Sequence, residues 1–337
     1  MTQYIQPIPQ LTAYDDARRL GGSAWVFTET AILRDRDGGD EEVMIDDLTP
    51  DAQTRISTHR PAICGLTLDV PRIMGILNVT PDSFSDGGTL ANVEAAVARA
   101  KIMAQDADIL DIGGESTRPG AAEVSIQDEI NRTAPVIRAM REAGITTPIS
   151  IDTRKAAVAQ AALEAGANII NDVSAMRFDP DMAGVAAAAD CPICLMHSQG
   201  LPEDMQDNPD YDAVTFDVFD HLADRIAVAE AAGIRRANII TDPGIGFGKT
   251  LQHNLSLLRD LAIYHDLGLP ILLGASRKRL IGEVSGESDA MQRLGGSIAL
   301  ALHGSAQGVQ ILRVHDVKET KQALNLQMAL SGASDYG

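Results

Sequence analysis

Positive charge is what this chain is short of. Lysine and arginine number 28 against 47 aspartates and glutamates, a formal net charge of −19. That balance excludes a general binder of nucleic acid or of an anionic membrane surface, which needs a basic field. It also means that any anionic ligand must be met by a local cluster of cations. Cysteine is scarce: the three are Cys64, Cys191 and Cys194, too few for a disulfide framework. Cys191-Pro-Ile-Cys194 has redox spacing, but 192–196 reads as a strand, where residues three apart lie about 10 Å apart. A disulfide tolerates at most about 7 Å between Cα atoms. No apolar run reaches the roughly 20 residues of a bilayer span. Residues 1–10 lack the basic start and apolar core of a secretory leader, so a cytoplasmic protein is expected. A hydrophobic content of 45% over 337 residues is enough for one large core plus an appendage.

What the chain does have is alternation. Apolar runs at 73–79, 108–112, 148–151, 168–171, 192–196, 238–241, 270–273 and 308–312 predict strands. Each is followed by a stretch of helical spacing, at 92–105, 125–142, 155–165, 181–188, 211–232, 251–264, 290–303 and 316–330. Ser125 and Asp128 are spaced as a capping box with Asp in place of Glu. Gly166 and Gly233 close two of the helices, and Gly295-Gly296 marks a place of close packing. Eight strand–helix units in about 260 residues predict an α/β fold, the (β/α)8 TIM barrel. An open doubly wound sheet would favour G-x-G-x-x-G after the first strand, and none is there. Residues 1–60 stand apart as an N-terminal accessory segment ahead of a barrel at 61–337. Within it, 24–34 reads as a strand holding the one tryptophan, 35–42 as a charged turn and 42–46 as a returning strand. Together they form a hairpin packed on the barrel or on a second subunit.

In such barrels the active site lies at the C-terminal ends of the strands. Those ends carry Asn78, Asp111, Asp152, Asn171, Met196, Asp242, Gly274 with Ser276-Arg277-Lys278, and Arg313-Val-His315. A lone Asp after a strand is commonly the next helix's N-cap; a ring of polar ends is more than capping requires. The ends sort into two chemistries. Asp152, Asn171 and Asp242 suit a flat heterocycle with an amidine-like edge, since a carboxylate accepts two parallel N–H bonds and an amide both donates and accepts. Arg118, Lys278, Arg313 and His315 form the cationic set, and the last three follow strands 7 and 8, where barrels often bind phosphate. Pro243-Gly-Ile-Gly-Phe-Gly-Lys-Thr250 imitates a P-loop but has Pro243 where the first glycine is required, and reads as a flexible loop with Phe247 available to a ligand ring. Asn78-Val-Thr80 is formally a glycosylation sequon, without meaning in a chain that is not secreted. His197 has no second ligand at metal spacing on its segment and reads as a loop hydrogen-bonding residue.

These residues fall in long motifs: 76–88, 111–121 (Asp-Ile-Gly-Gly-Glu-Ser-Thr-Arg-Pro-Gly-Ala), 150–155, 169–174, 195–200, 242–249, 274–278 and 312–317. By them the chain from residue 73 onward resembles the dihydropteroate synthase family of pterin-binding barrels. The resemblance implies condensation of 6-hydroxymethyl-7,8-dihydropterin pyrophosphate with p-aminobenzoate to give 7,8-dihydropteroate and pyrophosphate. It implies that Asp152, Asn171, Asp242 and Lys278 hold the pterin, with Met196 and Phe247 near its ring. Asn78, Arg313 and His315 would bind pyrophosphate, with Mg²⁺ at Asn78 and Asp82 or Asp86 left open as further ligands. Phe84, Thr117, Arg118, Pro119 and Ser276 would form the aminobenzoate pocket. Asp152, Asp242, Lys278, Arg313 and His315 would be catalytic, and the loops 80–90 and 113–122 would close over the site. Asn78 would face Arg313 and His315 across the barrel mouth. A homodimer, and competition by sulfonamides, are further expectations of the family. Departures are few: Arg279-Leu280 where Ser-Phe or Ser-Met is frequent, Ser198 where Met is frequent, and Arg154 where a small or polar residue is common. The competing readings are a methyltetrahydrofolate-dependent methyltransferase, which has no need of the pyrophosphate set, and a non-catalytic pterin-binding protein.

Overall fold

A computed structural model of the chain describes residues 3–13, 16–79, 89–115, 123–200 and 209–332. The N-terminal strands are β1 (Tyr4–Pro7), β2 (Arg18–Arg19), β3 (Phe27–Thr28), β4 (Thr30–Arg34) and β5 (Glu41–Met44), followed by helix α1 (Pro50–Ser57). β4 and β5 form the expected hairpin, Thr30 opposite Met44 and Leu33 opposite Glu41. The strand expected at 24–34 is split into β3 and β4, and β1 adds a third strand on the free edge of β4. Four residues containing a glutamine and a proline gave β1 no periodicity to read. Trp25 is buried with Leu20, Val26, Ala31, Ile45, Ile56 and Met328 of the last helix. Pro50 in the first turn and Thr49, whose hydroxyl accepts from the Ala52 amide, start α1.

The barrel strands are β6 (Arg72–Asn78), β7 (Ile109–Gly113), β8 (Ile149–Asp152), β9 (Ile169–Asp172), β10 (Ile193–Met196), β11 (Ile239–Asp242), β12 (Leu272–Leu273) and β13 (Ile311–Val314). They make one eight-stranded parallel sheet in the order β11-β10-β9-β8-β7-β6-β13-β12, and a parallel bridge from Thr241 to Ile271 brings its two edges together. Around it lie α2 (Thr89–Met103), α3 (Ile126–Glu142), α4 (Ala156–Ala165), α5 (Met182–Ala189), α6 (Val214–Ala231), α7 (Leu251–Arg259), α8 (Arg279–Ser285), α9 (Leu294–Ala306) and α10 (Val317–Leu330). The expected helix at 251–264 stops at Arg259 and continues as a 3-10 stretch, Leu261–Leu267. α8 had no counterpart in the sequence reading, and the helix expected at 290–303 is a 3-10 turn followed by α9. Gly296 is where α8 and α9 touch: a Cβ there would lie 2.2 Å from Ile281 Cγ2, whereas one on Gly295 would meet nothing. The Ser125 hydroxyl caps α3 by accepting from the Asp128 amide at 3.1 Å, and Gly166 closes α4 with a left-handed φ of 114°.

Strand alternation divides the barrel into two faces. Ile73, Leu110, Ile112, Ile149, Ile151, Ile170, Leu195 and Leu312 pack outward under the helices. Met74, Ile109, Ile169, Cys194, Ile240, Leu272 and Ile311 form an inner layer, plugged from below by Ile63 and Leu68. Cys191 and Cys194 are both buried and free. No helix among the described residues is long and apolar enough to cross a membrane.

Candidate active site

The same alternation, followed up each strand past the apolar layer, gives the site. Two residues beyond Ile109 is Asp111, two beyond Ile169 is Asn171, two beyond Cys194 is Met196, two beyond Ile240 is Asp242 and two beyond Ile311 is Arg313. Asp152 ends β8 beside Asn171. These side chains share a small buried space. Arg313 donates from Nε to Asp111 Oδ2 and from Nη2 to Asp152 Oδ2, both at 2.6 Å. Asn171 Nδ2 donates to the same Asp111 oxygen at 3.3 Å. Among the described residues neither Asp111 Oδ1 nor Asp152 Oδ1 meets a hydrogen-bond partner, although both are buried. A buried carboxylate oxygen without a donor is costly. Burial pushes the Asp152 carboxyl up to about 7, Arg313 pulling it down and Asp111 and Glu129 pushing it up again. Burial also raises Asp242, against the Gly244 amide and the Lys278 charge.

Lys278 follows β12. Burial pushes its ammonium down to about 7, Asp242 pulling it up and Arg313 pushing it down. The ammonium donates to the Ile245 carbonyl and lies 4.0 Å from the centre of the Phe247 ring. His315 and Ser276 are brought together, Nδ1 and Oγ 3.1 Å apart. Met196 is buried at the end of β10, and a Cβ on Gly244 would lie 3.3 Å from its Cγ.

Several expectations are corrected here. Barrel closure pairs β13 with β6, Arg313 level with Met74 and Val314 with Gly75. Asn78 therefore stands on the strand next to Arg313, not across the mouth from it. The loop after β11 is anchored: Lys249 Nζ reaches His197 Nδ1 at 2.8 Å and the carbonyls of Gly244 and Phe247 at 2.9 and 3.0 Å. Burial pushes both Lys249 and His197 well below their ordinary ranges. His197 thus has a loop partner, and no group of His, Cys, Asp or Glu able to hold a metal occurs among the described residues. Asp82, Phe84, Asp86, Thr117, Arg118 and Pro119 lie outside the described residues.

Three further elements had no assigned role. Asp111 is the hub of the interior network, and its place two residues above Ile109 was the signal for it. Lys249 was hidden by the P-loop comparison. Glu115, immediately before 116–122, is held by Arg154 at 3.3 Å and by Lys155 at 2.9 Å, with Lys155 also on Glu129 at 2.7 Å and on the Val124 carbonyl at 2.7 Å. Arg154, a departure from the family pattern, also stacks 4.0 Å over the Phe178 ring. Nothing in the isolated sequence pairs these residues.

A (β/α)8 barrel with an interior carboxylate–amide–lysine cluster at its mouth belongs to a known class. The family model described as pterin binding enzyme matches residues 74–315. Among relatives, the dihydropteroate synthase of Escherichia coli (strain K12) is 46% identical over 274 residues, 80% of this chain and 96% of that one. Among solved structures, Xanthomonas albilineans dihydropteroate synthase with 4-aminobenzoic acid superposes with a TM-score of 0.76 at 47% identity, covering 81% of this chain and 98% of that one. The Yersinia pestis dihydropteroate synthase in a sulfonamide drug complex gives 0.76 at 45%, covering 82% and 100%. The chain belongs to the dihydropteroate synthase family of pterin-binding enzymes.

Proposed function

We infer that this chain is a transferase of folate biosynthesis, joining 6-hydroxymethyl-7,8-dihydropterin pyrophosphate to p-aminobenzoate. The C–O bond to pyrophosphate breaks, a C–N bond to the arylamine forms, and 7,8-dihydropteroate and pyrophosphate leave with one proton released. The observation that carries this reading is the pair of buried, unpartnered carboxylate oxygens on Asp111 and Asp152 beside Asn171. They call for a flat ligand that brings N–H donors, as the amidine-like edge of a pterin does.

In this reading Asp152, Asn171, Asp242 and Lys278 hold the pterin, and Met196 and Phe247 flank its ring. Asp152 and Asp242 stabilise positive charge that spreads into the ring as the methylene becomes cation-like. Arg313, His315 and Lys278 stabilise the charge growing on the leaving pyrophosphate, an electrostatic contribution. The His315–Ser276 contact links that anion side to the arylamine side, the role that the family resemblance gives to Ser276 and also to Phe84, Thr117, Arg118 and Pro119. No covalent enzyme nucleophile is needed. Asn78, an oxygen donor at the end of β6, would be the protein ligand of a Mg²⁺, the other positions being left to substrate phosphate oxygens and water. When bound, the ion supplies Lewis-acid stabilisation of the leaving group.

The same reading makes residues 61–337 the catalytic barrel and 1–60 an accessory segment, in a cytoplasmic enzyme that sulfonamides inhibit by competing with p-aminobenzoate. It includes a homodimer, supported by the exposed apolar side chains Val284, Met291 and Leu294 on and between α8 and α9. The test is release of pyrophosphate from the pterin substrate on addition of p-aminobenzoate and Mg²⁺. Turnover dependent on both substrates is expected. Pterin binding without turnover would overturn the synthase and leave a carrier or a methyltransferase.

A further inference from the structure

The family model begins at residue 74, and among the described residues no hydrogen bond or ion pair joins the N-terminal sheet to the interior cluster. Even so, it is tied to the helix that leads out of one of the site's loops. Tyr4 of β1 stacks on Phe216 of α6 with ring centres 4.4 Å apart and meets Phe219 edge-on at 5.3 Å. Its hydroxyl donates to Asp220 Oδ2 at 2.9 Å. Arg36, just after β4, forks onto α6, Nη1 on Asp217 Oδ1 at 2.6 Å and Nη2 on Asp220 Oδ2 at 2.7 Å. Arg34 also lies over the Phe216 ring, its guanidinium carbon 5.1 Å from the ring centre. The sheet therefore grips the first two turns of α6 through stacked rings and a guanidinium shared by two carboxylates.

That end of α6 is in turn bonded to the loop after β11. The second carboxylate oxygen of Asp217 accepts from the Ala213 amide at 3.0 Å, fixing the approach to the helix. Two residues earlier, the Tyr211 hydroxyl donates to the Gly248 carbonyl at 2.7 Å. Gly248 has a left-handed φ of 60°, and a Cβ there would lie 2.3 Å from the Gln199 carbonyl oxygen. So the loop is pressed against the chain leaving β10 and has little room to shift without its Tyr211 bond. The same loop supplies the Ile245 carbonyl to Lys278 and the Phe247 ring beneath that ammonium.

We propose that the N-terminal sheet is a brace that positions the active-site loop 244–249 through Arg36, Asp217 and Tyr211. Arg36, Tyr4 and Tyr211 are positioning residues in this scheme; none of them touches the interior cluster. The effect on turnover rests on the function inferred above, whereas the mechanical link does not.

The test is amide hydrogen exchange of the full-length chain carrying Arg36→Met, which removes the fork and keeps the aliphatic stem. Faster exchange at 244–249 is expected, by about two- to fivefold, the range that partly exposed ion pairs supply. Strands β7 to β9 should be unaffected. Faster exchange confined to the N-terminal sheet and the start of α6 would overturn the proposal. Tyr211→Phe, which removes one oxygen atom, should loosen the same loop, and the double variant should exceed it little, because the link is already cut. Full additivity would show two independent effects and sink the brace. With the assay above, Arg36→Met should raise KM for the pterin substrate by a similar factor and leave kcat near wild type. An inactive wild-type protein would refute the synthase reading, and the exchange data would still decide the brace.

Discussion

The two ends of the same barrel strands are built to opposite specifications. At the lower end Met74, Ile109, Ile169, Cys194, Ile240, Leu272 and Ile311 close on one another over Ile63 and Leu68. Each large aliphatic side chain buried there stabilises by about 1.5–3 kcal/mol. Two residues higher, buried positions hold Asp111, Asn171 and Asp242 and a half-buried one holds Arg313, with buried Asp152 and half-buried Lys278 beside them. Burying charges costs free energy unless every one is paired, and here two carboxylate oxygens have no partner among the described residues. The lower layer completes itself, whereas the upper layer leaves acceptors open, which the proposed function fills with the pterin. Stability and chemistry are thus separated by about 7 Å along each strand.

The strongest way to break this contrast is Asp152→Asn. The amide can still accept from Arg313 through its oxygen, so thermal unfolding should move by a few degrees at most. Turnover should fall roughly a hundredfold or more, the size of effect that losing a preorganised electrostatic group produces. A collapse in melting temperature would make the upper layer structural and end the distinction. Ile240→Ala tests the other end. It should lower unfolding free energy by about 2–5 kcal/mol in urea denaturation, with kcat close to wild type wherever the variant is folded. A selective loss of kcat would show that the lower layer shapes the site.

A smaller effect should appear with pH. With Asp152 pushed up to about 7, protonation replaces an acceptor by a donor where the proposed function puts the pterin N–H groups. Calorimetric affinity for the pterin should therefore fall by up to about tenfold per unit below that value, and Asp152→Asn should flatten the profile. Stability of the unliganded protein carries the matching sign. A carboxyl whose pKa is raised by folding binds its proton more tightly in the native state. Its contribution is fully present below the ordinary carboxylate range and is lost as pH rises through about 7. Lys278, pushed down to about 7, acts in the opposite direction above that pH. The joint contribution of these two groups to the stability of the free protein is therefore smallest near neutrality.

Much of this was readable before any coordinates. The apolar runs marked the barrel strands to within a few residues, because a buried parallel strand has to be apolar and short. The polar residues at their ends picked out Asp152, Asn171 and Asp242 as one group and Lys278 and Arg313 as part of another, and the fold interleaves the two by setting Arg313 on Asp152. α8 escaped because its seven residues directly after Lys278 show no clear period. β1 escaped because it is stabilised by pairing with β4 and packing on α6, neither of which is local. Lys249 looked like part of a failed phosphate loop, because its real partners, carbonyls of its own loop and the ring of His197 52 residues away, are set by loop geometry and packing that residue types do not encode.

The sequence by itself determined the repeating unit, the inward phase of each strand and the chemical character of each strand end, since these depend on neighbours within about ten residues. Only the tertiary structure decided how those ends combine. Asp111 and Arg313 are 202 residues apart and share a hydrogen bond because closure of the sheet brings the last strands against the first. The same closure put Asn78 on the strand beside that of Arg313, and packing of a separate sheet on α6 set Tyr4 and Arg36 against the helix that leads back to the site. Each of these pairings depends on strand order and twist across the whole barrel, which no local stretch of chain specifies.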